Sequence, residues 1–384
     1  MTDDKKTPVN GITALKLYNY RCYEQLALEC PLQPIVLTGP NGAGKTNILE
    51  AISLFSPGKG LRKSKLSLLI NIKNPKDPWA VHGTYTFPSG NLALSTGIDL
   101  SNESERRFVK INGAPHPQTT LHEWIHILWQ TPQSDGLFIE GMSPRRRFID
   151  KLISQIHPSY PKHLYRYDYA LRERSRLLKE SNFDDYWLRA LEETMSQEAV
   201  VITMHRIDFV RQLTEAGQNN VTKFPSFSIH SKGLIEEWLE EHPALVVEEK
   251  IQKHLKDNRQ NDSLTGGTKI GPHQSEIPVI NLDYNYPAEV CSTGEQKALL
   301  VSLMLAQCRL QTTVCNRMPI LLLDEVVAHL DNERRACLFK EIVALRLQAW
   351  LTGTDSQVFH PLEGLAHFLT INNATVKEGS LYVS

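Results

Sequence analysis

Residues Gly39-Pro40-Asn41-Gly42-Ala43-Gly44-Lys45-Thr46 have the types and spacing of a loop that wraps phosphates. The apolar stretch Ile35–Leu37 before it and the helical pattern Asn47–Leu54 after it are the strand and helix such a loop requires. Glycines allow backbone N–H groups to turn inward around an anion, and the start of the following helix adds positive potential. The spacing predicts that Lys45 reaches the β- and γ-phosphates of ATP and that Thr46 holds Mg²⁺, with Asn47 opening the helix beside them.

A second stretch, Ile320-Leu321-Leu322-Leu323-Asp324-Glu325, is an apolar strand ending in two carboxylates. A run of this form suits a buried parallel strand. Asp324 is then placed to complete the Mg²⁺ shell, and Glu325 to orient or deprotonate an attacking water. Upstream, Ser292-Thr293-Gly294-Glu295-Gln296 precedes a helical pattern and resembles the S-x-G-x-Q signature of ABC ATPases. In that class the signature's small residues approach the phosphate of ATP bound by the other subunit, so Ser292, Gly294 and Gln296 are expected to act in trans. Ala328-His329-Leu330-Asp331 resembles the D-loop that lines the same dimer interface, with Asp331 its acidic residue. The position of the class's switch histidine reads Thr352-Gly353-Thr354-Asp355, which leaves Thr352 and Thr354 as substitutes. Gln130 and Gln133 are both available as the glutamine that joins catalysis and the metal shell; Gln133 is preferred because it sits just beyond the strand pattern Ile125–Trp129.

These groups need elements to hold them. Ile12–Leu17, Gln25–Cys30 and Ile35–Thr38 are strand-like, Ala80–Phe87 and Asn91–Ile98 form a hairpin around Pro88-Ser89-Gly90, and Arg107–Ile111 ends at the turn signal Asn112-Gly113. The middle of the chain turns helical. Tyr160, Leu164, Tyr167, Leu171 and Leu178 recur at helical spacing, as do Leu188, Leu191, Met195, Ile202, Phe209 and Leu213, which predicts an antiparallel pair of long helices. A further helix is expected over Glu236–Lys256 and a polar boundary loop over Asn258–Gly267. Strand–helix alternation returns with helices over Ala298–Leu310 and Arg334–Leu347 and strands over Ile320–Leu323 and Gln348–Thr352. The expected fold is therefore α/β, an ABC-type P-loop ATPase head made of residues 1–142 and 262–384, with an inserted helical arm over 143–261.

Composition narrows the function classes. At 41% hydrophobic and 22% charged, the chain has the material for folded cores. No apolar run approaches the roughly 18–20 residues of a membrane helix, and Met1–Lys6 lacks an apolar signal core, so a cytoplasmic protein without a membrane partner is expected. A net charge of −1 means that any nucleic-acid face must be a local patch or be assembled on dimerisation. Six cysteines form no C-x-x-C pair and read as buried free thiols. His122-Glu123-Trp124-Ile125-His126 matches H-E-x-x-H, but the strand pattern from Ile125 takes His126 off any helical face, which speaks against a zinc site. Arg145-Arg146-Arg147 reads either as a phosphate patch or as partners of Asp150 and other acids. Arg172, Arg174, Arg176 and Lys179 read as a solvated helix face, and His273 as structural.

The order of motifs resembles that of the bacterial RecF family over nearly the whole chain. Leu15-Lys16-Leu17-Tyr18-Asn19-Tyr20-Arg21 resembles its opening pattern, and Gly39–Ile52 its phosphate loop. Gly141–Asp150 resembles its G-x-P-x-x-R-R-x-F-L-D segment, one residue tighter between Pro144 and the arginine pair unless that pair is Arg146 and Arg147; Leu171–Lys179 resembles its Q-R-N-x-L-L-K stretch, and Thr268–His273 its T-x-x-G-P-H. The chain departs from the family with Gln133 in place of an acid, Gln274-Ser275-Glu276 after Gly-Pro-His, and Asp324-Glu325 in place of a pair of aspartates. The resemblance implies an ATP-dependent homodimer that binds double-stranded DNA near single-strand gaps. It further implies help in loading a recombinase with mediators such as RecR, and slow, DNA-stimulated ATP hydrolysis that drives release. It also makes Arg21 a candidate for the nucleotide site. The rival readings are the nucleotide-binding subunit of a membrane transporter, which would carry a five-residue LSGGQ and a switch histidine, and a structural SMC protein, which needs far longer heptad arms.

Overall fold

The computed structural model describes residues 10–99, 105–180, 184–218 and 224–378, apart from the side chains of Gln133, Asp135 and His329. The chain divides into two compact units. One comprises Met1–Asp135, Asn220–Phe224 and Thr293–Ser384, the other Gly136–Asn219 and Pro225–Ser292.

The first unit contains strands β1 (Gly11–Tyr20), β2 (Tyr23–Glu29) and β3 (Ile35–Thr38), helix α1 (Lys45–Ser53), then β4 (Ala80–Phe87), β5 (Gly90–Asp99), β6 (Arg106–Ile111), β7 (Ala114–Pro115) and β8 (Ile127–Gln130). The second unit has α2 (Met142–Ile156), α3 (Tyr160–Leu177), α4 (Asp185–Gln218), β9 (Phe227–Ile229), α5 (Leu234–Glu241), α6 (Ala244–Asp257), α7 (Arg259–Thr265), β10 (Val279–Asn281) and β11 (Tyr286–Pro287). The first unit resumes with α8 (Thr293–Cys315), β12 (Ile320–Leu323), α9 (Asn332–Ala344), β13 (Ala349–Gly353), β14 (His367–Asn372) and β15 (Thr375–Glu378).

Two six-stranded sheets build the first unit. One is antiparallel in the order β2-β1-β4-β5-β6-β7. The other runs β15-β14-β3-β13-β12-β8 and is parallel except for β15. Every residue of β3 and β12 is buried, as expected of parallel strands covered on both faces. In β1 the alternation puts Leu15 and Leu17 in the core and Lys16 and Tyr18 outside. Ile35, Leu37, Ile320, Leu322 and Trp350 of the parallel sheet join Ile48 and Ile52 of α1 and the inward residues of β1 in one core. Register aligns the strand ends: Thr38 lies opposite Gly353 and Thr370, and Leu323 opposite Gln130 and Leu351. Ligands of open α/β sheets bind at such carboxyl ends. Helix α8 is long and apolar enough to cross a membrane by composition, but 72% of its apolar window is buried inside the protein, so it is a core helix.

Four expectations need correction in the second unit. The helix expected over Glu236–Lys256 is two, α5 and α6, because Pro243 lacks an N–H and holds His242 extended at φ −135°, ψ 149°. The boundary loop expected over Asn258–Gly267 contains α7, and its Asp262 is buried against the Arg174 guanidinium at 2.7 Å. Arg174 therefore does not lie on a solvated face: it also donates to Glu192 at 3.0 Å and to the Leu255 carbonyl at 2.7 Å. Because β10 pairs with β9, residues 262–292 fold with the helical unit and not with the head.

The family-like segments of this unit converge on one polar centre. Asp150 accepts two hydrogen bonds from Arg206, both at 2.8 Å, and one from the Tyr160 hydroxyl at 2.6 Å. Arg206 also donates to the carbonyl of Pro272, and the next residue, His273, is 2.7 Å from the Tyr167 hydroxyl. Burial pushes the His273 imidazole below its usual range, so it stays neutral, in keeping with a structural role. The arginine run splits by position. Arg145 is buried against Glu289 at 2.6 Å, Arg146 donates to the Ser275 carbonyl at 2.8 Å, and Arg147 is exposed.

The H-E-x-x-H match dissolves: a short 3₁₀ turn ends at Glu123, and buried His126 enters β8. Among the described residues no cluster of three or more His, Cys, Asp or Glu side chains could hold a metal; all six cysteines are free, but only Cys30 and Cys308 are buried, the other four being partly exposed.

Candidate nucleotide site

The phosphate loop leaves β3 at Thr38 and enters α1 at Lys45. Two of its glycines are dictated by geometry. A Cβ on Gly39, at φ 143°, would stand 2.0 Å from the Ile371 carbonyl oxygen, and one on Gly44, at φ 116°, would stand 2.5 Å from the Tyr23 hydroxyl. Helix α1 starts without a side-chain cap, so its first N–H groups are directed to whatever anion the loop holds. Lys45 Nζ donates to the carbonyls of Gly39 at 2.7 Å and Pro40 at 2.9 Å, which lays the ammonium across the loop. Burial pushes its pKa down, while Glu325 and Asp324 pull it up.

Asp324 is the hub of the site. Its Oδ1 accepts from Thr46 Oγ1 and from Thr352 Oγ1, each at 2.9 Å. Burial pushes its carboxyl above the usual carboxylate range, against the hydrogen bonds from Thr352 and Thr46. Glu325 sits at φ 56°, ψ 13°, a left-handed conformation that costs a non-glycine residue energy and clusters at active sites. Its N–H donates to Thr352 Oγ1 at 2.8 Å. Of the two threonines left open as switch substitutes, fully buried Thr352 is thus the one in contact with both acidic positions.

The remaining expected residues are distributed as follows. Asn47 bonds Cys22 Sγ through Nδ2 at 3.1 Å and accepts from Arg62 through Oδ1 at 3.1 Å. Gln130 closes β8 beside Asp324, whose N–H donates to the Gln130 carbonyl at 3.0 Å. The Gln130 side chain is buried, and its Oε1 has no hydrogen-bond partner among the described residues. Gln133 lies in the 3₁₀ turn Pro132–Gly136, and its side chain is outside the described ones. Ser292 is exposed just before α8, Gly294 is partly exposed, and Gln296 is buried. A Cβ on Gly294 would meet only Arg334 Nη1, at 3.7 Å, so the start of α8 is open to close approach. Asp331 caps α9 by accepting from the Arg334 N–H at 2.8 Å.

Arg21 is tied to α1 and the loop that follows it. It grips buried Glu50 of α1 through Nε and Nη2, both at 2.8 Å, and donates to Ser64 Oγ at 2.7 Å and the Leu68 carbonyl at 2.9 Å. Four of its five donors are committed, which makes it a brace of α1. Sequence reasoning passed over Arg62, a cation beside Asn47 and 3.9 Å from Glu50. The signal was the basic run Arg62-Lys63-Ser64-Lys65 in a loop returning to the phosphate loop.

A phosphate loop, an acid pair at the end of a buried parallel strand and a signature at the start of α8, in this order and on these two sheets, define an ABC-type ATPase head. The chain matches the model of the RecF/RecN/SMC N terminal domain over residues 11–376. It is 39% identical over 368 residues to the DNA replication and repair protein RecF of Mesorhizobium japonicum, covering 95% of this chain and 97% of that one. It is also 39% identical to the RecF of Rhizobium rhizogenes, covering 94% and 96%. The chain belongs to the RecF family. In fold it is similar to a solved structure of the recombination mediator protein RecF-ATP in the RecFOR pathway (TM-score 0.81, 22% identity, covering 98% of this chain and all of that one). It is more distantly similar to an Smc head bound to the C-winged helix domain of ScpA (TM-score 0.54, 17% identity, 97% and 98%). The transporter reading receives no support from these relatives.

Proposed function

We propose that the chain is a cytoplasmic ATPase of DNA replication and recombinational repair that homodimerises on ATP and binds double-stranded DNA beside single-strand gaps. Mediator proteins such as RecR then help it assist recombinase loading. The observation that carries this reading is the Thr46–Asp324–Thr352 node beside the phosphate loop, together with a signature whose Gly294 leaves room for close approach.

The oxygens of Thr46 and Asp324, 2.9 Å apart, suit Mg²⁺, a hard cation that takes few protein oxygens plus phosphates. The burial that raises the Asp324 pKa is the environment a divalent ion would relieve. Gln133 is assigned to the same shell from its position just beyond β8. Bound there, Mg²⁺ would neutralise charge on the β- and γ-phosphates. Lys45 exchanges its loop carbonyls for phosphate oxygens, and the loop amides of Gly39–Thr46 orient the triphosphate. Glu325, its backbone pinned by Thr352, orients the attacking water and takes its proton. Ser292, Gly294 and Gln296 of the second subunit meet the γ-phosphate, and Asp331 lies along the interface. A two-fold dimer then shares two equivalent sites, and hydrolysis loosens it. Slow, DNA-stimulated turnover serves release.

Light scattering with ATP tests the shared site. Glu325→Gln keeps shape but removes the base, so it should accumulate as a dimer. Ser292→Arg should bind ATP and stay monomeric. A monomeric Glu325→Gln or a normally dimerising Ser292→Arg overturns the mechanism.

A further inference from the structure

The second unit gathers positive charge on one face although the whole chain carries −1. Two adjoining cavities of about 460 and 540 Å³ share His273. Together their walls hold seven arginines and lysines against two carboxylates, Asp150 and Asp168. The first cavity is lined along α2 by Ser143, Arg147, Lys151 and Ser154, spaced three or four residues apart and so on one side of the helix. The second is lined along α3 and its end by Arg172, Ser175, Arg176 and Lys179, opposite Gly266 and Gly267. A Cβ on either glycine would meet nothing within 4 Å, so the backbone there is open.

Not all of this charge is available. Arg206 is neutralised by Asp150, and Arg146 is turned onto the Ser275 carbonyl. Arg147, Arg172, Arg176 and Lys179 are exposed. Arg147 and Lys179 make no ion pair among the described residues, and Arg172 donates only to the Asp168 carbonyl, at 3.1 Å. Arg176 pairs with Glu173 and Glu180 on the helix surface, contacts of the kind worth little in water. Guanidiniums and ammoniums interleaved with hydroxyls and open backbone are the groups that grip phosphates and sugars.

We infer that this groove, running from Arg147 and Lys151 to Arg172 and Lys179, holds the sugar-phosphate backbone of the DNA that the chain binds. The inference rests on the DNA-binding reading above and places the contact on the helical unit. Asp168 tunes it: with Asp150 tied to Arg206 and Tyr160, Asp168 is the carboxylate left facing an incoming phosphate.

Two variants of opposite sign test this, using a fluorescent gapped duplex titrated at several salt concentrations with ATP present. R147A/K151A/R172A/K179A should bind at least about tenfold more weakly, and the slope of log K against log salt should shrink by about 3–4, since each lost phosphate contact removes about 0.9. Asp168→Asn should bind more tightly than wild type. Both should bind ATP as wild type does, and circular dichroism should confirm the fold. A quadruple variant with wild-type affinity and slope overturns the groove while leaving DNA binding intact. Wild-type protein that binds no DNA with or without ATP removes the DNA-binding reading itself, and the groove with it.

Discussion

Replacing Arg21 with alanine separates two roles for the same side chain, nucleotide ligand or brace of α1. Glu50 is only 1% exposed, and its charge is met by two 2.8 Å bonds from Arg21, with Ser64 at 3.3 Å and Arg62 at 3.9 Å as weaker neighbours. Truncation strands a buried carboxylate, a change that costs about 3 kcal/mol when the lost partner is itself partly exposed, as Arg21 is at 20%. At about 2–4 °C per kcal/mol for a unit of this size, the melting midpoint of the first unit should fall by about 6–12 °C in nucleotide-free protein. Arg21→Lys should fall less, keeping the charge but losing the bidentate fork. R21A/E50A should recover part of the loss, because the uncompensated charge is gone, and the cycle should return a coupling of at least about 1 kcal/mol. Thermal melts by circular dichroism read the first effect and ATP titration calorimetry the second. An Arg21→Ala protein that melts within about 1 °C of wild type yet binds ATP tenfold more weakly would show that Arg21 is a nucleotide ligand and that the brace argument is wrong.

Lys45→Ala removes the loop's ammonium; with charge-assisted bonds to phosphate worth about 1.5–3 kcal/mol each, ATP binding should weaken by about 10- to 100-fold or more, and unchanged affinity in a binding titration would refute the phosphate-loop role. Asp324→Asn should raise the melting midpoint of nucleotide-free protein at neutral pH while abolishing stabilisation by Mg²⁺ and ATP. Burial sets the folded pKa of Asp324 above its unfolded value, so the group favours the fold below the unfolded pKa of about 3.9 and loses that contribution as pH rises through the folded one. The advantage of Asp324→Asn should therefore grow from acid to neutral pH; a gap that shrinks over that range contradicts the assignment.

What the sequence made legible follows from how local each signal is. The phosphate loop, β3, β12 and the β4–β5 hairpin announce themselves within a few residues, through glycine spacing, unbroken apolar runs and a turn, and all stand where they were expected. Asp324 as a hub beside Thr46 was implied by motif alone. Thr352 was not separable from Thr354, because the choice depends on β13 registering against β12 so that its hydroxyl reaches Asp324, a fact of pairing across the sheet. The edge of the helical unit was misplaced for the same reason. Polar Asn258–Gly267 looks like a linker until Arg174, 88 positions before Asp262, supplies the buried partner. Charge in a sequence window does not say which cations face water: Arg174 and Arg145 are buried beside exposed Arg172 and Arg147.

Thr352 also bears on the rate of the reaction. A switch histidine can carry a positive charge to the γ-phosphate as negative charge develops there. A threonine hydroxyl is neutral and has one proton and two lone pairs, and here it donates to Asp324 and accepts from the Glu325 N–H. Its bonding is therefore spent on holding the two acids in place, including a Glu325 backbone that would not rest in the left-handed region unaided. A site so arranged positions its base well but brings no charge of its own from this position to the transition state. The missing stabilisation must come from elsewhere: Lys45, the metal, Arg62 beside Asn47, or the second subunit's signature. If the proposed dimer shares its sites, turnover would wait on the second subunit, because the residues that hold the water in line and the charges that lower the barrier would not all belong to one chain.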